Sequence, residues 1–297
     1  MNRARTQIAK PDILKLFEDL PQKIFKQSDL ATILQQNRRF WRLTQSTTTQ
    51  DFIDFLLGAS NLAKIVFPFP KPYNRETRYT WGEVPIPEVM LSLKPHCHFS
   101  HYTAVRIHGL TEQVPKTTYL NFEQPLASNS TGELSQRSID AAFKRPVRVT
   151  NYIAETDDFR VCLLNGKNTG YLGVEDEVPG YSYDRRLPKV RATNIERTLI
   201  DIAVRPVYSG GVDEVLKAYR LAQQRVSVNR LAAMLRKLGY IYPYHQVIGF
   251  YLERAGYKPQ LLELLRRFPM EFDFYLTHHM VDTDYVKDWR LHVPKSF

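Results

Sequence analysis

Apolar residues recur at helical spacing in three short stretches near the start of the chain, each bounded by residues that start or stop helices. Pro11 opens the first, which places Ile13, Leu14, Phe17 and Leu20 on one face, and Pro21 stops it. Lys23 to Lys26 reads as a short extended piece. Ser28 is placed to cap the second helix, Asp29 to about Gln36, where Leu30, Ile33 and Leu34 repeat. The third begins within Thr47-Thr48-Thr49-Gln50, carries Phe52, Ile53, Phe55, Leu56 and Leu57, and has Gly58 near its end. The pattern then changes period: residues 62–69 are β-like, 71–78 are polar and rich in turn formers, and Tyr79-Thr80-Trp81 is β-like again. Three helices and a strand-turn-strand excursion form the layout of a winged helix-turn-helix, in which the third helix enters the major groove and the wing reaches nearby phosphates.

Residues 83–95 hold three prolines, which oppose helix interiors and central strands, so a domain border is expected there. Beyond it, His98 to Ile107 reads as a helix ended by Gly109, Thr117 to Glu123 as a strand, Ala127 to Glu133 as a polar loop, and Ser135 to Phe143 as a short helix. Pro146 to Ala154, Phe159 to Leu164 and Thr169 to Val174 alternate as strands do, the last two joined by a turn at Asn165-Gly166. From Asn194 the texture is helical: a capped helix through Ala203, another over Gly211 to Arg225, a third capped by Ser227 and ended by Gly239, and a fourth over Tyr244 to Ala255 before Gly256. Short β-like pieces at 272–277 and 289–293 follow. The expected fold is α+β: an N-terminal winged helix-turn-helix over residues 1–93, then a mixed α/β C-terminal domain over 94–297, β-rich to 190 and helical from 191.

The 43% hydrophobic and 24% charged content is that of a globular chain with a sizeable core. Charge adds something more specific, since 41 Lys and Arg stand against 31 Asp and Glu, a net +10. Such an excess favours a polyanionic partner. Arg38, Arg39 and Arg42 lie just before the third helix, and Lys64, Lys71, Arg75 and Arg78 lie in or near the wing. These seven are the phosphate-contact candidates, and Thr47, Thr48, Thr49 and Gln50 offer hydroxyls and an amide to phosphates or base edges. The alternative is an ordinary solvated basic face. Phe40 and Trp41 read as core anchors, since duplex readers seldom need stacking platforms. The chain's opening residues lack the apolar core of a secretory signal, no apolar run approaches the roughly 20 residues of a bilayer span, and two cysteines, Cys97 and Cys162, fit a reducing compartment. A cytoplasmic location is expected.

Candidate chemistry is sparse. His96-Cys97-His98 with His101 and His108 has zinc-binding residue types but no second ligand pair at matching spacing, so packing roles are expected. Asn165-Gly166-Lys167-Asn168-Thr169-Gly170 lacks the phosphate-loop spacing. Asp201, Asp213 and Glu214 are the carboxylates a magnesium-dependent nuclease would use, although Glu196-Arg197 with Asp201 reads more simply as helical charge pairing. No cofactor, metal or catalytic residue is expected, and an enzyme is not the leading expectation.

Several segments are more particular than composition explains: His101-Tyr102-Thr103-Ala104, His108-Gly109-Leu110-Thr111, Glu196-Arg197-Thr198-Leu199-Ile200-Asp201, Gly210-Gly211-Val212 and Tyr242 to Leu252. Together they resemble the AbiEi family of antitoxins from bacterial abortive-infection and type IV toxin–antitoxin systems, over roughly residues 95–297. The resemblance implies an autorepressor that binds inverted repeats beside its promoter; because a helix-turn-helix monomer offers few contacts, two copies on paired half-sites are expected. It also implies a C-terminal domain that counters a nucleotidyltransferase toxin without a stable complex. Arg197, Asp201, Tyr242, His245 and Gln246 are the candidates of that domain, with a structural alternative for each, such as an Arg197–Asp201 pair or a Tyr242-Pro243 turn. Two other classes stay open: a metal-dependent nuclease, and a protein-interaction module with basic ends, both within phage defence.

Overall fold

The structure is a computed structural model that describes residues 2–59, 62–126, 133–180, 189–295 and 297. The chain divides into two compact units, residues 1–95 with 154–158, and residues 96–153 with 159–297.

In the first unit, Asn2–Ile8 (α1), Lys10–Asp19 (α2), Gln27–Asn37 (α3) and Thr49–Ala59 (α4) are helices. Ile24–Phe25 (β1), Leu62–Phe67 (β2) and Glu76–Trp81 (β3) form an antiparallel sheet in the order β1-β3-β2. The core follows the expected apolar faces: Ile13 and Phe17 from α2, Leu30 and Leu34 from α3, Phe52, Ile53 and Leu56 from α4, with Trp81 stacked on Phe17 at 4.8 Å. Trp41 joins this core, but Phe40 is 71% exposed and is not an anchor. Ser28 is not the cap of α3. The helix starts two residues earlier, at Gln27, and the Asp29 carboxylate accepts from the Lys26 amide at 2.7 Å, closing the first turn from its third position. Within 83–95 the chain nevertheless forms a short helix, Ile86–Leu91 (α5), because Pro85 and Pro87 sit at its start, where a missing amide costs nothing.

In the second unit, His98–Phe99 (β4), Thr117–Glu123 (β5), Arg160–Gly166 (β7), Val174–Glu177 (β8) and Val190–Thr193 (β9) lie in the order β7-β5-β4-β9-β8; Ile153–Glu155 (β6) is the strand at which the chain passes between the units. β7 is parallel to β5, and β8 is antiparallel to β9. The expected hairpin at Asn165-Gly166 does not form. Gly166 continues β7 opposite Glu123, and a Cβ there would meet the Asn121 amide at 2.8 Å, so close packing explains the glycine. The expected strand over 146–154 shrinks to β6, and that over 169–174 is a turn leading into β8. His98 is in a strand, so the helix that follows, His101–Ile107 (α6), is shorter than expected. The polar loop expected at 127–133 lies almost wholly outside the described residues, while Gln136–Phe143 (α7) forms with Ser135 as its cap.

The helical part forms as its caps direct. Asn194 accepts from the Arg197 amide at 3.0 Å and starts Ile195–Val204 (α8); Val212–Ala222 (α9) follows. Ser227 starts Val228–Leu238 (α10), which stops at left-handed Gly239. Tyr244–Arg254 (α11) and Pro259–Arg266 (α12) follow, the latter absent from the sequence expectation. Phe274–Tyr275 (β10), Thr283–Val286 (β11) and Leu291–Pro294 (β12) make a small sheet in the order β10-β12-β11. Glu196 to Ala203 of α8 and Tyr244 to Leu252 of α11 are buried on all sides, so these two helices are the centre of the unit. Among the described residues no helix is long and apolar enough to cross a membrane.

Candidate nucleic-acid face and a cavity of the second unit

The start of α4 is closed on itself. Thr48 Oγ1 accepts from the Asp51 amide at 3.1 Å while Asp51 Oδ2 accepts from the Thr48 amide at 2.9 Å, a reciprocal cap. These bonds from Thr48 hold the Asp51 carboxyl below its usual value. Upstream, the Arg38 guanidinium donates to the carbonyls of Thr44 and Thr47 and so braces the loop that enters α4. Thr47 is 2% exposed and shares its hydroxyl with Thr44, which removes it as a DNA contact; Thr49 is half-buried. Gln50 is exposed, and its amide donates to Asp54 at 2.7 Å.

Five of the seven expected cations are exposed: Arg39 and Arg42 ahead of α4, Lys64 on β2, and Lys71 and Arg75 between β2 and β3. Among the described residues none of them has an ion pair or a side-chain hydrogen bond. Arg38 is turned inward as described. Arg78 is not a surface cation at all: it is 2% exposed, with Nη1 3.1 Å from Glu76 Oε2, Nε 3.0 Å from Ser92 Oγ, and Nη2 reaching the Ser92 and Leu93 carbonyls at 3.0 and 3.2 Å. The β3 register turns this side chain inward, where it ties the strand to the segment after α5.

The second unit contains a cavity of about 600 Å³. Three of the five C-terminal candidates, Arg197, Asp201 and Tyr242, line it. Arg197 Nε donates to Asp201 Oδ1 at 2.8 Å, one helical turn on, and Nη1 donates to the Leu172 carbonyl at 2.7 Å. Both side chains of this pair are less than a tenth exposed. Removing either partner alone would leave a buried charge and cost about 3–5 kcal/mol. The pair therefore anchors α8 to the turn before β8.

His245 and Gln246 are not part of that wall. His245 stacks on Phe268 at 5.1 Å, and burial drives its pKa down to about 4. Gln246 is fully buried and donates to the carbonyls of Phe272 and Trp289, both at 2.9 Å, so it holds the last segment of the chain to α11. Its Oε1 has no partner among the described residues.

The histidine cluster is dispersed into packing. His98 and His101 are buried, each with its pKa lowered by desolvation to about 4, and His108 Nε2 donates to the Thr193 carbonyl at 2.7 Å. Burial pushes the Cys162 thiol up to about 12. Glu214 accepts from Tyr102 and pairs with Lys217, and among the described residues no three His, Cys, Asp or Glu side chains gather as a metal would require.

Residues that the sequence expectation missed complete the cavity: Arg148, Lys167, Arg205, Tyr208, Tyr240 and Tyr244. One signal was available, since Arg197, Asp201 and Arg205 follow at intervals of four and so lie along one helical face. Arg148 and Lys167 carry no such mark, because they reach the wall from loops.

No protein-family model matches the chain, and no curated protein matches it. Among solved structures, the crystal structure of the RV2827C protein from Mycobacterium tuberculosis is similar, with a TM-score of 0.59 and 14% sequence identity over 96% of this chain and 91% of that one. At this identity the likeness concerns the fold alone.

Proposed function

We propose that the chain binds duplex DNA through its first unit, acting as a winged helix-turn-helix, and represses its own operon as the AbiEi-type antitoxin of a type IV toxin–antitoxin pair. The observation that carries the DNA reading is the set of five exposed, unpaired cations ahead of α4, on β2 and in the β2–β3 connection. In this reading α4 supplies Thr48 and Gln50 to the groove, and β2 and β3 form the wing. Asp51 and Asp54 are also exposed on α4, so phosphate contacts come from the flanking arginines and the wing rather than from the helix itself. The antitoxin part rests on the sequence resemblance, with a nucleotidyltransferase as the toxin and the cytoplasm as the place of action.

A salt titration on the protein's own upstream DNA and on scrambled duplex tests this. Five phosphate contacts correspond to a slope of log affinity on log salt of about −4.5 for each protomer, and two copies on an inverted repeat double it. Replacing Arg39 or Arg42 by alanine is expected to reduce that slope by about 1 each. Equal affinity for both duplexes would refute specific readout. A magnesium-dependent nuclease is less well supported, because two of its three carboxylates are engaged elsewhere, Asp201 by Arg197 and Glu214 by Tyr102 and Lys217.

A further inference from the structure

The cavity of the second unit collects cations that the fold leaves without partners. Its charged lining consists of Arg148, Lys167, Arg197 and Arg205 against the single carboxylate Asp201. Arg197 is already satisfied by Asp201 and the Leu172 carbonyl. Among the described residues, Arg148, Lys167 and Arg205 have neither an ion pair nor a side-chain hydrogen bond. Arg205 is the informative one. It caps α8, donating its amide to the Asp201 carbonyl at 3.0 Å, and its half-buried side chain lines the cavity with Asp201, whose carboxylate Arg197 has already neutralised. A guanidinium partly withdrawn from water without a counter-charge is costly unless an anion completes it.

The rest of the lining is aromatic and polar. Tyr240, Tyr242 and Tyr244 meet edge-to-face, with centroids 5.3 Å apart for the first and last and 6.1 Å for the last two, and Tyr208 stands edge-on to His101 at 5.6 Å. Asn165 and Thr150 add an amide and a hydroxyl. The volume, about 600 Å³, falls within the roughly 300–1,000 Å³ of small-molecule sites. A bare phosphate would leave most of that space and all of the tyrosines unused. A planar heterocycle carrying a phosphate uses both: guanidinium forks hold phosphate oxygens, and phenol rings stack on a base. His101, neutral by burial and held by Ser100 at 2.9 Å, adds a ring nitrogen to the wall without adding charge.

We propose that this cavity is a binding site for a nucleoside phosphate, with the phosphate on Arg205, Arg148 and Lys167 and the base against the tyrosines of residues 240–244. The site is separate from the proposed DNA face, since every residue that lines it belongs to the second unit.

Calorimetric titration of the full chain with the 5′-monophosphates of the four common nucleosides tests the assignment, with ribose 5-phosphate and the unphosphorylated nucleosides as comparison probes. At least one nucleotide is expected to bind, with ribose 5-phosphate and the nucleosides each weaker by roughly tenfold or more, since each lacks one half of the recognition. Arg205→Ala is expected to weaken the nucleotide by at least about tenfold, and the double variant Arg148→Ala/Lys167→Ala, which alters only exposed side chains, by a similar factor. Arg39→Ala in the first unit leaves nucleotide binding unchanged and separates this site from the DNA face. The proposal is overturned by dissociation constants weaker than about 1 mM for all four nucleotides, by ribose 5-phosphate binding as tightly as they do, or by full affinity in the exposed double variant.

Discussion

Replacing Arg78 separates a structural arginine from one of the proposed DNA face. Its guanidinium donates five hydrogen bonds, to Glu76, Thr77, Ser92 through both side chain and carbonyl, and Leu93, and is 2% exposed. Breaking a buried pair by removing one partner costs about 3–5 kcal/mol. The lower end applies here, because Glu76 is a quarter exposed and keeps Lys94 at 3.2 Å, so Arg78→Ala is expected to lose about 3 kcal/mol. Arg75→Ala, at an exposed and unpaired position, is expected to stay within about 0.5 kcal/mol of wild type while lowering the salt slope of DNA binding by about 1. Urea unfolding followed by tryptophan fluorescence reads the difference, since Trp41 and Trp81 are both buried in the first unit. A pH series adds a signature. Burial opposes ionisation of Glu76, but Arg78 and Lys94 outweigh it and hold its pKa below the usual value. The stabilisation is therefore present above the unfolded carboxylate value of about 4.3 and is lost as pH falls through the lower folded one. Arg78→Ala should flatten that acid limb. If this variant unfolds within about 0.5 kcal/mol of wild type, the bonding described for Arg78 contributes nothing and the reasoning fails.

Two further outcomes concern the second unit. His98, His101 and His245 have folded pKa values of about 4 through burial, so the unfolded chain binds more protons between pH 6.5 and 4, and stability of the unit should fall steadily as pH drops through that window. Thermal melts at constant ionic strength check this, and a midpoint independent of pH across the window would show that the rings are solvated. Gly249→Ala would place a Cβ 2.1 Å from Cζ3 of the fully buried Trp289, whose indole donates to Glu253 at 2.9 Å, and is expected to destabilise by more than about 2 kcal/mol in chemical denaturation. Wild-type stability in that variant would mean that the tryptophan yields freely.

Helix ends were legible because capping is local. Asn194, Ser227 and Gly239 act within a turn of their own positions, and the structure places helix limits where those residues stand. Strand partners were not legible. Asn165-Gly166 has the residues of a tight hairpin, yet β7 runs parallel to β5, some forty residues earlier, and that long-range register overrides the dipeptide's turn preference. The same limit affected the candidate site residues. Arg38, Arg75 and Arg78 are alike as sequence letters near one another, but one braces a loop, one is solvated and one is buried in an ion pair.

By itself, the sequence determined the α+β class, the apolar faces that make the first unit's core, the caps of the helical part, and an excess of positive charge, all of them properties set within a few residues or by composition. Tertiary structure decided which charges remain available. The inward turn of Arg78, the internal pairing of Arg197 with Asp201, and the convergence of Arg148, Lys167 and Arg205 on one cavity depend on chain segments far apart in sequence. The physical reason is that a side chain's solvation and counter-charge are set by whatever packs against it, and in this chain those neighbours come from distant segments.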